Sequence, residues 1–189
     1  MLSIRARQTR LKALGLYTGT VDGIEGTKTK AAYKTLQDKH FLRKSDRDGL
    51  YGKNTDILLQ CAYNVLKYAP NFALEEFRCQ CGGKHCTGYP AVLNIQMLKN
   101  VQSTRRQFGP TTITSGLRCA KHNASQGGAS ASRHMSGKAV DIKNTTSKTE
   151  SGRKKIMAHW KTLKNSRYTY CNIGGSHPNM ATSVHMDVK

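Results

Sequence analysis

Hydrophobic residues recur at helical spacing through the first third of the chain and at strand spacing near its end. Ile4, Leu11 and Leu14 mark a helix that Gly15 ends. Ala31, Ala32, Tyr33 and Leu36 lie in a second helical segment, and Ile57, Leu58, Cys61 and Val65 share one face of a third. Tyr68-Ala69-Pro70-Asn71 then breaks the pattern, because a proline disfavours helix at the residue before it. Val92, Ile95, Leu98 and Val101 predict a helix that starts at Pro90 and is stopped by Gly109-Pro110. Thr111 to Ser115 is a β-prone run. In the stretch Ala139 to Ile142 the period is two: Ala139 and Asp141 face one way, Val140 and Ile142 the other. A helix from Thr149 to Leu163 carries Ile156, Trp160 and Leu163 on one face, with Trp160 read as core, and a strand covers Tyr168 to Ile173. At the C-terminus Val184, Met186 and Val188 share one strand face, and His185 and Asp187 share the other. The expected class is α+β: a small three-helix bundle in residues 1–69, then an α+β domain with an antiparallel sheet in residues 70–189.

The first domain contains a repeat. Asp22-Gly23-Ile24-Glu25-Gly26-Thr27-Lys28-Thr29 returns as Asp48-Gly49-Leu50-Tyr51-Gly52-Lys53-Asn54-Thr55, both reading Asp-Gly-x-x-Gly-x-x-Thr. Each copy supplies a tight turn, since Gly accepts positive φ at no steric cost, and delivers its Thr to the first turn of the next helix.

Charge widens the picture. The chain has 189 residues and a formal net charge of +20, which draws it towards polyanions such as nucleic acid, acidic lipid or an anionic cell wall. The Lys and Arg are dispersed, without the interleaved aromatics of a base-stacking surface, so nucleic acid is not the expected partner. No stretch approaches a membrane span, and the basic N-terminus has no apolar segment after it, so neither membrane insertion nor a secretory signal is expected. The six Cys are then not expected to form a disulfide framework. Cys79, Cys81 and Cys86, with His85, fall within one short stretch that suits a structural zinc, a redox pair or a loop of free thiols. Gly82-Gly83 could fold Cys86 back towards Cys79 and Cys81.

The candidate chemistry lies in Ser115 to Asp141 and in the last residues. His134, Asp141 and His185 are ligand-type residues, two of them on strands with an apolar opposite face. Catalytic zinc commonly takes three protein ligands and keeps one position open, and these three would supply them. Two neutral imidazoles and one carboxylate leave a positive centre able to acidify water and polarise a peptide carbonyl. Arg118 carries a planar guanidinium suited to a substrate carboxylate.

Two resemblances follow. Leu14 to Thr27, Thr29 and the second Asp-Gly block make residues 3 to 66 resemble the peptidoglycan-binding domain attached to cell-wall hydrolases. Ser115-Gly116-Leu117-Arg118, His122-Asn123, Gly127-Gly128, Ser132-Arg133-His134-x-x-Gly137-x-Ala139-x-Asp141 and Val184-His185-Met186-Asp187 resemble the zinc D-alanyl-D-alanine carboxypeptidase family, which includes phage endolysin endopeptidases. That resemblance implies Zn2+ on His134, Asp141 and His185, with Arg118 gripping a substrate carboxylate. Several members carry an acidic base three residues before the last His; here that position is Thr182. Asp187 is the nearest acidic substitute, or a residue that orients a ligand, and His177 is the second candidate for proton transfer. The expectation is a monomeric, endolysin-like peptidoglycan hydrolase, made in the cytoplasm and acting on the wall after release. The competing expectations are a wall-binding or phage structural protein with a degenerate zinc site, and a zinc-containing nucleic-acid binder.

Overall fold

A computed structural model describes residues 1–189. Helix α1 (Ile4–Ala13) is capped by Ser3, whose Oγ accepts from Ala6 N, and ends at Gly15 with φ +70°. Helices α2 (Thr27–His40) and α3 (Lys53–Tyr68) each follow one copy of the Asp-Gly repeat. In both copies the Asp Oδ1 accepts the N–H two residues on, at 2.9 Å, and the glycine is left-handed (Gly23 φ +80°, Gly49 φ +75°).

A feature outside the repeat completes each turn. Gln8 of α1 and Gln37 of α2 are fully buried and reach into the two turns. Gln37 Nε2 lies 3.0 Å from Asp48 Oδ1, 2.9 Å from Leu50 O and 2.9 Å from Thr55 Oγ1, and its Oε1 accepts from Gly49 N at 2.7 Å. Gln8 makes the matching set with Asp22, Ile24, Thr29 and Gly23. The repeat is thus two amide-plugged turns, each tied to the preceding helix.

In the second half, helix α4 (Ile95–Phe108) begins later than Pro90 because Asn94 Oδ1 accepts from Met97 N and starts the helix there. Gly109 ends it. Strand β1 (Thr111–Ser115), short helix α5 (Ala120–Ser125), β2 (Ala139–Asn144), helix α6 (Glu150–Thr162), β3 (Ser166–Cys171) and β4 (Val184–Val188) follow. Thr149 caps α6 through its Oγ1. Strand β3 starts and ends two residues before the sequence pattern suggested, since Ser166 pairs with Val188 at the far end of β4.

The strands form one antiparallel sheet in the order β1-β2-β4-β3. Val140, Ile142, Val184, Met186 and Val188 are buried on it, with Ile156 and Trp160 of α6 and Leu98 and Val101 of α4 in the same core. Trp160 is fully buried and donates Nε1–H to Asp187 O at 3.1 Å. The core is continuous with that of the first three helices. At the junction, Asn64 Nδ2 of α3 donates to Leu93 O, Leu93 N to Cys61 Sγ, and Leu42 N to Thr87 O. No helix is long and apolar enough to cross a membrane.

Candidate metal centre and cleft

The register of the sheet builds the site. Asp141 of β2 stands opposite His185 of β4, with Ser115 of β1 and Tyr170 of β3 as their outer neighbours, so one row crosses all four strands. His134 joins from a 3-10 turn over Arg133–Ser136. That turn closes on Gly137, whose φ is +70° and whose Cβ position lies 2.3 Å from Val92 O. A side chain there meets both backbone strain and fixed backbone. Gly137→Ala is expected to cost about 3 kcal/mol, read as a lowered denaturant midpoint; an unchanged midpoint would show that the turn relaxes freely.

His134, Asp141 and His185 are all buried. His134 Nδ1–H donates to Gly116 O at 2.7 Å, which sets the tautomer and turns the Nε2 lone pair inwards. His134 Nε2 lies 3.3 Å from His185 Nδ1 and 3.4 Å from Asp141 Oδ1, and His185 Nδ1 lies 2.7 Å from Asp141 Oδ1. Tetrahedral zinc with bonds of about 2.0–2.1 Å holds neighbouring ligand atoms about 3.4 Å apart. Two of the three edges already have that length; the third, 2.7 Å between His185 Nδ1 and Asp141 Oδ1, is a hydrogen bond that a bound ion would replace. The donor set therefore fits a zinc ion.

The partners around this triangle are fixed. Arg118 donates Nη2–H to Asp141 Oδ2 at 3.0 Å and Nε–H to Ser115 Oγ at 2.9 Å. Tyr170 stacks on His185 at a centroid distance of 4.6 Å. Asp187 lies behind His185: its Oδ2 is 3.6 Å from Nε2, while its Oδ1 accepts from Tyr168 N at 2.8 Å. Burial pushes the Asp141 carboxyl up, but the hydrogen bonds and positive charge that His134 and His185 offer when protonated outweigh it and hold the group well below the usual carboxylate range. Burial pushes His185 down, yet Asp141 and Asp187 together raise it above the ordinary histidine value. Asp187 follows the same balance as Asp141: burial raises it, and the His185 and Tyr168 N–H contacts win and lower it.

Above the triangle is a cleft of about 560 Å³, lined mostly by polar groups including Arg118, His122, Asp141, Tyr170, His177 and Ser183. The structure brings Arg118, His134, Asp141 and His185 together, and places His177 on the cleft wall against Tyr170 (centroids 4.9 Å apart). Of the triangle only Asp141 lines the cleft; Asp187, like His134 and His185, lies beneath the lining, and Thr182 is exposed just before β4. The sequence pattern did not reveal Tyr170, the Ser115 hydroxyl or the Gly116 carbonyl as supports. Ser115 and Gly116 belong to the Ser-Gly-Leu-Arg run, whereas Tyr170 carries no local signal.

Comparison with known proteins decides the lineage. Residues 70–187 match the family described as Peptidase M15. This chain belongs to the Peptidase M15 family. In front of the M15 region, residues 3–56 match the family described as putative peptidoglycan binding domain. Among curated proteins, this M15 chain is 31% identical over 147 residues to the zinc D-Ala-D-Ala carboxypeptidase of Streptomyces albus G. The alignment takes in 72% of this chain and 56% of that relative, so the M15 chain spans little more than half of the relative's length.

Proposed function

We propose that this chain is an endolysin-like peptidoglycan hydrolase that uses zinc on His134, Asp141 and His185 to cleave an amide bond in the peptide stem or cross-link of the bacterial wall. The observation that carries the reading is the buried triangle of donor atoms, sized for one zinc ion, beneath a polar cleft. The family match, the carboxypeptidase relative and the +20 charge, suited to an anionic wall, support it. In the same reading residues 1–69 form the wall-binding module, residues 70–189 the hydrolase, and the protein acts as a monomer.

When bound, zinc supplies a Lewis acid that activates water and polarises the scissile carbonyl. The chain does the rest. His134 and His185 offer neutral nitrogens, each fixed through its other ring nitrogen. Arg118 holds Asp141 through Nη2, and its Nη1, which makes no hydrogen bond within the chain, is available to a substrate carboxylate. Asp187 acts as a positioning residue for His185, and proton transfer passes to His177 on the cleft wall.

Those two roles separate experimentally. Asp187→Asn is expected to weaken zinc affinity about 10- to 100-fold. His177→Ala should keep its zinc and lose about 100-fold or more in kcat. A zinc-replete Asp187→Asn chain with collapsed kcat, beside an unaffected His177→Ala, would reverse the assignment.

Zinc uptake has a pH dependence of known sign. The metal needs unprotonated His185, and the two carboxylates favour its protonated form. Affinity should therefore rise with pH up to the raised His185 value and level off above it. Below that value it falls about tenfold per pH unit for the one proton displaced. Competition against a chromophoric chelator across this range measures it, and a flat profile would remove His185 from the ligand set.

Mass spectrometry of digested peptidoglycan tests the activity. A new amino terminus on D-Glu or a freed amino group on the cross-linking residue identifies an endopeptidase, and released D-Ala alone a carboxypeptidase. Absence of products from zinc-loaded protein would leave a wall-binding protein with a degenerate site.

A further inference from the structure

We propose that Cys79, Cys81, Cys86 and Cys119 bind a second, structural zinc ion as four thiolates. The four sulfurs lie within 4.8 Å of one another, although Cys119 is distant in sequence from the other three. Four thiolates around one zinc at about 2.3 Å place neighbouring sulfurs about 3.8 Å apart, and Cys81 and Cys86 Sγ are already 3.5 Å apart. His85, the other ligand-type residue of the stretch, is exposed and takes no part.

Simple packing does not account for the group. The cysteines form a cluster of their own, separate from the main core and containing no other buried apolar side chain. Cys79, Cys81 and Cys119 are buried, and Cys86 is half-buried at the rim. A disulfide would join sulfurs in pairs at about 2.05 Å, whereas here four gather around a common point. The surrounding backbone suits thiolates. Cys119 N points at Cys79 Sγ from 3.4 Å, and left-handed Gly82 and Gly83 (φ +63° and +83°) wrap Cys86 back onto Cys81. Four protein ligands close the coordination shell, which is the mark of a structural site rather than a catalytic one.

The position explains what such an ion would hold. Cys119 directly follows Arg118, and Leu117 N donates to Phe77 O at 2.8 Å. Gln80, inside the cysteine loop, lines the cleft and donates to Thr114 O at 2.9 Å. On its other side the loop accepts from Leu42 N through Thr87 O. The ion would pin the loop to the segment carrying Arg118 and brace it between the helical module and the cleft.

Elemental analysis of the full chain, purified with its native metal, tests the proposal independently of the catalytic reading. Two zinc ions per chain are expected, falling to one in His134→Ala and to one in Cys119→Ser. Because Cys119→Ser could fail to fold, cobalt substitution of the His134→Ala chain is the second measurement. It should show thiolate-to-cobalt charge-transfer absorption in the near ultraviolet. Zinc-loaded native chain with all four thiols freely alkylated, a mapped disulfide among them, or cobalt without thiolate absorption would each overturn the site. If the cysteine zinc is present while peptidoglycan stays intact, only the catalytic proposal fails.

Discussion

His185→Ala is expected to lose its catalytic zinc and to turn over peptidoglycan at least about 1000-fold more slowly. The side chain is one vertex of a three-donor triangle, and two donors do not hold zinc in an open tetrahedral site at useful affinity. Removing the imidazole also frees Asp187 from its ring contact and strips the stacking partner from Tyr170. Asp141 keeps Arg118 and His134, so the remaining charge stays paired and the sheet is expected to fold. The decisive measurement pairs elemental zinc with turnover on the same sample. A folded, zinc-poor variant with wild-type turnover would remove metal from the reaction altogether.

Gln37→Ala is expected to destabilise the protein by about 3 kcal/mol. The amide is fully buried and serves four groups: the Asp48 carboxylate, Leu50 O, Thr55 Oγ1 and Gly49 N. Its two N–H protons are shared among three acceptors, so the network behaves as a unit. Truncation leaves Gly49 N–H without its acceptor and opens a hole between α2 and the turn, where each lost partner costs about 1–3 kcal/mol. Gln37→Glu keeps the shape but sets a carboxylate 3 Å from Asp48, so at neutral pH it should be at least as damaging. Urea unfolding of both variants checks this, and a loss below about 1 kcal/mol in Gln37→Ala would mean that water replaces the amide.

These glutamines show where sequence reading stops. The Asp-Gly turns were legible because glycine and aspartate have strong local preferences. The plugs were not, because Gln8 and Gln37 stand 14 and 11 positions before their aspartates, an unequal offset that hides the symmetry. Cys119 was missed for a similar reason: it lies 40 positions from Cys79, and only the fold brings it there. The α+β class and the two central strands followed from strand phase, since Val140 and Ile142 had to be buried together. Strand phase also set His185 and Asp187 on one face, but two residues advance about 6.6 Å along a strand. That step carries Asp187 past the triangle to the outer nitrogen of His185, a distinction that a pattern of period two does not contain. Because β4 lies between β2 and β3, both carboxylate and imidazole are buried instead of facing open solvent.

The shared core at the junction has a consequence for how such an enzyme would survey its substrate. Cys61 and Asn64 of α3 bind the backbone at Leu93, and Leu42 binds Thr87, so no slack tether joins the anchor to the blade. With the first module seated on the wall, as proposed, the cleft would sweep no arc. It would fall at one bearing and one span from the point of attachment, like the second leg of a locked caliper, and each landing would expose a single stem to cutting before the enzyme had to lift and settle again.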